Sequence, residues 1–198
     1  MKVLVLAALL LCCSSVTHSQ DKTGRQLGQE HLPRAGVVHI TMTSGFSPNN
    51  LQHLADKSEL IIEGEVESLL GSRYGSVPET DFQIDVKRVS KALPGKALPT
   101  KVIIPQVGGK IGDLEMINVG DPLMELGQKA FFFLRAEDRN NLPDFGFPRY
   151  CIKGGHYGRI RISDDKVKLT QSQYFARQFQ DRPSEDLRKE ILQATKQK

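Results

Sequence analysis

The stretch Lys129-Ala130-Phe131-Phe132-Phe133-Leu134-Arg135 limits what this chain can become more than any other segment. Its unbroken apolar run leaves no wet face for a strand, and Gly127-Gln128 just before it marks a break in the chain. A run of this length, rich in aromatics and bounded by turn residues, reads as a strand covered on both faces at the centre of the structure. The rest of the chain must therefore supply apolar cover for both of its sides.

Other segments alternate, as half-buried strands do. In Leu60 to Glu67 the residues Ile62, Gly64 and Val66 face one way and Glu63, Glu65 and Glu67 the other. Asp81 to Lys87 repeats the pattern with Phe82, Ile84 and Val86 inside, after a polar connection from Gly71 to Ser76. Leu93-Pro94-Gly95 turns the chain into a third strand, Lys101 to Pro105, and Gly108 to Gly112 separates it from a short run at Leu114 to Val119. Beyond a loop at Asn140 to Pro148, Tyr157 to Ile162 and Lys166 to Leu169 form a hairpin around Asp164-Asp165, with Ile160, Ile162, Val167 and Leu169 inside.

Helices belong at the edges. Ser47-Pro48 reads as a capped start for a short helix carrying Leu51 and Leu54 and ending near Asp56. The tail from Pro183 to Lys198 reads as an amphipathic helix with Leu187, Ile191 and Leu192 on one stripe. Six or seven short, mostly antiparallel strands are most economically arranged as a small mainly β, OB-like barrel, closed or partly open, with a two-sheet β-sandwich as the alternative.

The amino terminus adds an address. One positive charge at Lys2 precedes the apolar run Val3 to Leu11, which is far shorter than the roughly 20 residues needed to cross a hydrocarbon layer. Residues 1–19 therefore read as a secretory signal cleaved between Ser19 and Gln20, residues 20–47 as a flexible leader with one added strand at Gly36 to Ile40, residues 48–170 as the β domain and residues 171–198 as a helical tail. The expected location is secreted or periplasmic, with lipid anchoring through Cys12 or Cys13 as a minor alternative. Cleavage would leave Cys151 without an internal disulfide partner. Between Tyr150 and Ile152 it reads as a buried strand residue, against the alternatives of pairing with another chain or acting as a nucleophile.

The order Ala55-Asp56-x-x-Glu59-Leu60-Ile61-Ile62-x-Gly64-x-Val66, Phe82-x-Ile84-x-Val86-x-x-Val89-x-Lys91, Gly120-Asp121-Pro122 to Phe131-Phe132-Phe133-Leu134 and Gly154-Gly155-x-x-Gly158 resembles a group of exported bacterial small β-barrel proteins of uncharacterised function. The resemblance covers about residues 48–170 and rests on strand pattern and glycines. It implies a fold and a location and carries no chemistry across.

The formal charge of +4 is made of interspersed acids and bases, which is no nucleic-acid signature. Chemistry has few candidates. Glu63, Glu65 and Glu67 set carboxylates about 6.5 Å apart along one strand face, compatible with acid/base work or a hard cation as well as with an ordinary solvated face. On the hairpin, Arg161 is expected opposite Lys168, with Arg159, Lys166 and Tyr157 on the same outward face, where an anionic ligand or nearby aspartates would relieve the like charges. His156, set among glycines, is expected to be exposed and to adopt a positive φ, and it is the one histidine with a candidate ligand or acid/base role. No two histidines are spaced for a metal site on one element, and the two Gly-rich segments lack the following helix that a phosphate loop requires.

The reading that follows is a secreted, monomeric, non-catalytic binding module for an anionic or carbohydrate ligand or an envelope protein. It needs no cofactor, no metal, no nucleic acid and no transmembrane segment. A small extracytoplasmic hydrolase using Glu65 or His156, with Glu63 as a further candidate, and a structural envelope protein are the alternatives.

Overall fold

In the computed structural model, which describes residues 35–196 apart from 43, 75, 76, 140, 141 and 171, the chain is mainly β. Its elements are β1 (Gly36–Ile40), α1 (Leu51–Asp56), β2 (Leu60–Tyr74), β3 (Pro78–Lys91), β4 (Lys101–Val107), β5 (Gly109–Ile111), β6 (Leu114–Asn118), β7 (Lys129–Ala136), β8 (Tyr150–Ile152), β9 (Arg159–Ser163), β10 (Lys166–Lys168) and α2 (Ser184–Lys196). The expected signal, its cleavage site, Cys12, Cys13 and the first part of the leader lie outside the described residues.

The main sheet is antiparallel, in the order β10-β9-β7-β2-β3-β4, with β8 also paired to β7. Strand β7 holds β2 on one edge, while β9 and then β8 share the other. Both its faces are covered, as its composition requires. Ala130, Phe132 and Leu134 pack with Ile62, Val66, Phe82, Ile84, Val102 and Ile104. Phe131 and Phe133 point the opposite way, into Ile61, Ile160, Ile162, Leu54, Leu187 and Ile191. The two helices therefore form the lid of a second apolar layer, which the central strand shares with the first.

Strands β2 and β3 make one long hairpin whose register shifts between Ile61/Ile62, Glu63/Gly64, Val66/Ser68 and Leu69/Gly71. Such irregularities increase twist and bend the strands. At the far edge, β4 meets the chain just before β8 at a single parallel bridge between Ile103 and Arg149, where the Ile103 N–H donates to the Pro148 carbonyl at 2.9 Å. A second small sheet, β1-β6-β5, sets β1 parallel to β6. The added strand at Gly36–Ile40 thus forms where the apolar stretch of the leader predicts it.

Four expectations need correction. The polar segment after Gly71 is not a connection as far as Tyr74, because Arg73 pairs with Glu79 at 2.7 Å and Asp81 at 3.2 Å across the hairpin and prolongs β2. The first helix does not start at Ser47-Pro48. The Asn50 side chain accepts the His53 N–H at 2.7 Å and delays the start to Leu51. In α2, Leu192 lies at the edge of the stripe and is 38% exposed, while Ala194 and Ser184 join the buried face. Finally, residues Gly155–Gly158 form a 3₁₀ helix, so the last hairpin begins at Arg159 rather than Tyr157. Its turn is as expected: Asp164 and Asp165 have φ of 51° and 56°, the left-handed pair that a two-residue hairpin connection needs.

Candidate functional site

A cleft of about 340 Å³ opens where the end of β4, Met42, residues 44–46, Asp121 and the Gly154-Gly155-His156 loop meet. Gly154 and Gly155 make that loop possible: both have positive φ, at 74° and 58°, and a Cβ on Gly154 would stand 2.8 Å from the Phe46 ring. His156 itself has no positive φ, contrary to expectation. The two glycines absorb the turn and leave the histidine on the 3₁₀ helix.

Beneath the cleft lies a buried polar lattice. Arg159 donates to Asp121 Oδ1 at 2.7 Å, to the Pro122 carbonyl at 2.8 Å and to Gln106 Oε1 at 3.3 Å. Gln106 accepts the Met124 N–H at 3.0 Å and donates to the Asp121 and Pro122 carbonyls at 3.1 and 2.8 Å. Gln173, also buried, donates to the carbonyls of His156 and Arg159 at 2.7 and 2.8 Å and fixes the loop from behind. Arg159 is therefore not on an outward hairpin face. It is 7% exposed, because the Asp121-Pro122 turn covers the first residue of β9 while leaving Arg161, on the same face, in solvent.

Burial dominates the titration of this group. It pushes the Asp121 carboxyl up, opposed by the Arg159 guanidinium, His156 and Gln106. It also pulls the Arg159 guanidinium down, opposed by Asp121. His156 is half-buried rather than exposed. Loss of solvent holds its imidazole below the ordinary range, with Asp121 working against that shift and Arg159 adding to it. Its Nε2 is buried with no hydrogen-bond partner among the described residues, a cost that polar groups seldom bear without a ligand or a role.

A second network reaches the cleft through Glu79, Arg139 and Cys151. The Cys151 thiol donates to Glu137 Oε2 at 3.1 Å, and Arg139 bridges Glu137 and Glu79 at 2.8 Å each. Burial pushes the Glu137 carboxyl up, but the hydrogen bonds from Arg139 and Cys151 outweigh it and leave the group below its ordinary value. Glu137 in turn holds the Arg139 guanidinium above its own.

The other sequence-predicted residues are not gathered here. Glu63 takes a bidentate grip from Arg188 of α2 at 2.9 and 3.0 Å, Glu65 lies 3.7 Å from Lys87, and Glu67 is 2.6 Å from Lys101. Each carboxylate of that row is thus matched by its own cation, and the row is not directed into the cleft. On the hairpin, Lys168 faces Arg161 as expected, and Asp181 at 2.6 Å from Lys168 relieves the like charges. Tyr157 comes nearest: its ring lies 4.1 Å from that of His156, although Tyr157 does not itself line the cleft. The rings continue outward, Tyr157 to Phe175 at 6.4 Å and Phe175 to Tyr174 at 6.5 Å, with the Tyr174 hydroxyl 3.3 Å from Ser47 Oγ.

Sequence reasoning misses Gln106, Asp121, Lys153, Glu137 and the outer aromatics. Gln106, Asp121 and Lys153 meet partners distant in the chain, and neither Glu137 nor the aromatics stand in a motif that marks a site. Among the described residues no group of His, Cys, Asp and Glu is arranged to hold a metal ion, and no helix is long and apolar enough to cross a membrane. Comparison with protein-family models and with curated proteins finds no match.

Proposed function

We propose that this chain is an exported, non-catalytic binding module on an OB-like barrel, and that its ligand occupies the cleft at His156 rather than the hairpin face. The parallel bridge between Ile103 and Arg149 supports the barrel, because it links the last strand of the β2-β3-β4 series to the β8-β7-β2 series and so leaves a ring of five strands. The apolar run behind Lys2 supports export.

The observation that carries the binding reading is the contrast at the cleft. Its floor is locked by Arg159, Gln106 and Asp121, each hydrogen-bonded, whereas the Nε2 of His156 has no partner. A fixed floor beside one buried polar atom that lacks a partner is the arrangement of a site preorganised for a ligand. Catalysis is less well supported, because the described carboxylates Glu79 and Asp121 that line the cleft are held by guanidinium groups, and Cys151 is 2% exposed.

The test is an NMR ligand screen of the purified protein, reading the His156 ring and the Gly154 and Gly155 amides. Saturable shifts there, lost in His156→Ala, are expected; shifts confined to Arg161 and Lys168 would move the site to the hairpin. A hydrolase with His156 as base is the second reading, favoured by the placement of His156 in the cleft lining together with Asp121. Turnover of ester, peptide or polysaccharide pools that vanishes in His156→Ala and survives Glu65→Gln would establish it in place of passive binding.

A further inference from the structure

The loop that carries His156 is fastened on either side of a flexible pair. Before it, the Lys153 N–H donates to the Phe133 carbonyl of β7 at 2.7 Å. After it, Gly158 is packed so closely that a Cβ there would overlap the Lys153 carbonyl oxygen. Between these anchors lie Gly154 and Gly155, both in the left-handed region that glycine enters freely. His156 is seated through its carbonyl, which accepts from the buried Gln173 side chain at 2.7 Å, and through its ring, 4.1 Å from that of Tyr157.

That seat suits a neutral ring and not a charged one. A neutral imidazole can carry its proton on Nδ1 and leave a bare lone pair on Nε2, whereas a protonated one carries N–H on both nitrogens. Here Nε2 is buried with no partner among the described residues. Protonation in place would therefore create a charged donor with nothing to accept it, which costs more than an idle lone pair.

The charges around the ring do not relieve this. The 3₁₀ helix Gly155–Gly158 packs against β7, β8 and β9. Arg159 faces the ring from β9, while β7 and β8 bring Arg135 and Cys151 to the same cleft, with Lys153 just after β8. Tyr157 is the titratable neighbour on the helix itself. The carboxylates lining the cleft are both held by guanidinium groups, Asp121 by Arg159 and Glu79 by Arg73 and Arg139. Burial and Arg159 outweigh the attraction of Asp121, and the imidazole stays below its ordinary range.

We propose that the Gly154-Gly155-His156 loop is an acid-released latch on the cleft, seated while the imidazole is neutral and turned out into water on the glycine pair once the ring takes up a proton. Short connections with glycine are where such hinges absorb a backbone change. Release withdraws His156 from the cleft wall, so the site holds its ligand near neutrality and loosens on acidification. Only that last consequence rests on the cleft reading above.

The test is NMR of the purified protein with the proton as probe, from about pH 7.5 to about pH 5, the window of an imidazole switch. The Gly154 and Gly155 amides and the Gln173 side-chain amide should move along the same titration curve as the His156 ring. Exchange of the Tyr157 amide, which bonds to the Gly154 carbonyl, should quicken at least tenfold after correction for its intrinsic pH dependence, while the amides of Phe131 to Leu134 stay protected. In His156→Gln, which cannot take the charge, both changes should vanish. A ring that titrates while the glycines stay still, or glycines that move equally in His156→Gln, overturns the latch. So does a ring that remains neutral until the β7 amides lose protection, because the whole fold then opens first. No readout here uses a ligand, so the latch can fail with the cleft still the binding site, and a ligand screen at neutral pH that leaves His156 unmoved counts against the cleft alone.

Discussion

Arg159 and Asp121, 38 residues apart in the chain, meet through a 2.7 Å ion pair beneath the cleft. The two side chains are 7% and 10% exposed, so each is the main compensation for burying the other. Arg159→Met leaves the carboxylate buried and unmatched and should cost about 3–5 kcal/mol in urea unfolding. Adding Asp121→Asn should recover part of that loss, because the lone charge is then gone. A double variant as unstable as the sum of the two single ones would show that the pair does not act as a unit.

The same pair marks the limit of what can be read along the chain. The aromatic run at Phe131 to Leu134 announces a strand covered twice, and period-two alternation at Ile62 and Ile84 announces which side is dry, because both are local properties of a pleated backbone. Arg159 obeys the same alternation with Arg161 yet is buried, because a turn from elsewhere, Asp121-Pro122, lies over it. Periodicity gives the face and says nothing of what covers it. The cleft is assembled from β4, Met42, residues 44–46, the turn at Asp121 and the loop at Gly154, so no single window of sequence contains it. The glycines around His156 single out a residue that does line the cleft, but they suggest an exposed ring where the fold half-buries it.

His156 should make stability depend on pH near neutrality. Its imidazole is less basic in the fold than in the unfolded chain, chiefly through burial, so the unfolded chain takes up the proton first. The contribution is complete above the ordinary imidazole value of about 6.5 and is lost as the pH falls through the lower folded value. Asp121, raised by burial, acts in the opposite sense. Urea unfolding at a series of pH values should show wild-type stability falling on acidification, with a smaller fall in His156→Gln. Parallel profiles for the two proteins would remove His156 as the source.

Gly158 should not tolerate a side chain, although its backbone is ordinary. A Cβ there would overlap the Lys153 carbonyl oxygen and come within 3.1 Å of the Phe133 carbonyl oxygen, so the loop carrying His156 could no longer press against β7. Overpacking against backbone costs about 1–3 kcal/mol. Gly158→Ala should lose that much in thermal or urea unfolding and should also broaden or move the His156 ring resonance. Gly95→Ala is the control: nothing lies near its Cβ position, and only its φ of 73° disfavours alanine, so it should leave the His156 signal in place.

Cys151 borders the cleft and yet is 2% exposed, with its thiol donating to Glu137. Alkylation requires the sulfur to reach solvent as thiolate, and here the hydrogen bond and the strand packing both oppose that. In the native protein iodoacetamide should therefore react at least tenfold more slowly than with the urea-unfolded chain, and the rate should climb with the unfolded fraction. Glu137→Ala removes the acceptor and releases Arg139, so labelling should quicken at urea concentrations where the fold persists. Native labelling as fast as that of the unfolded chain would place the thiol in open solvent and restore it as a candidate nucleophile.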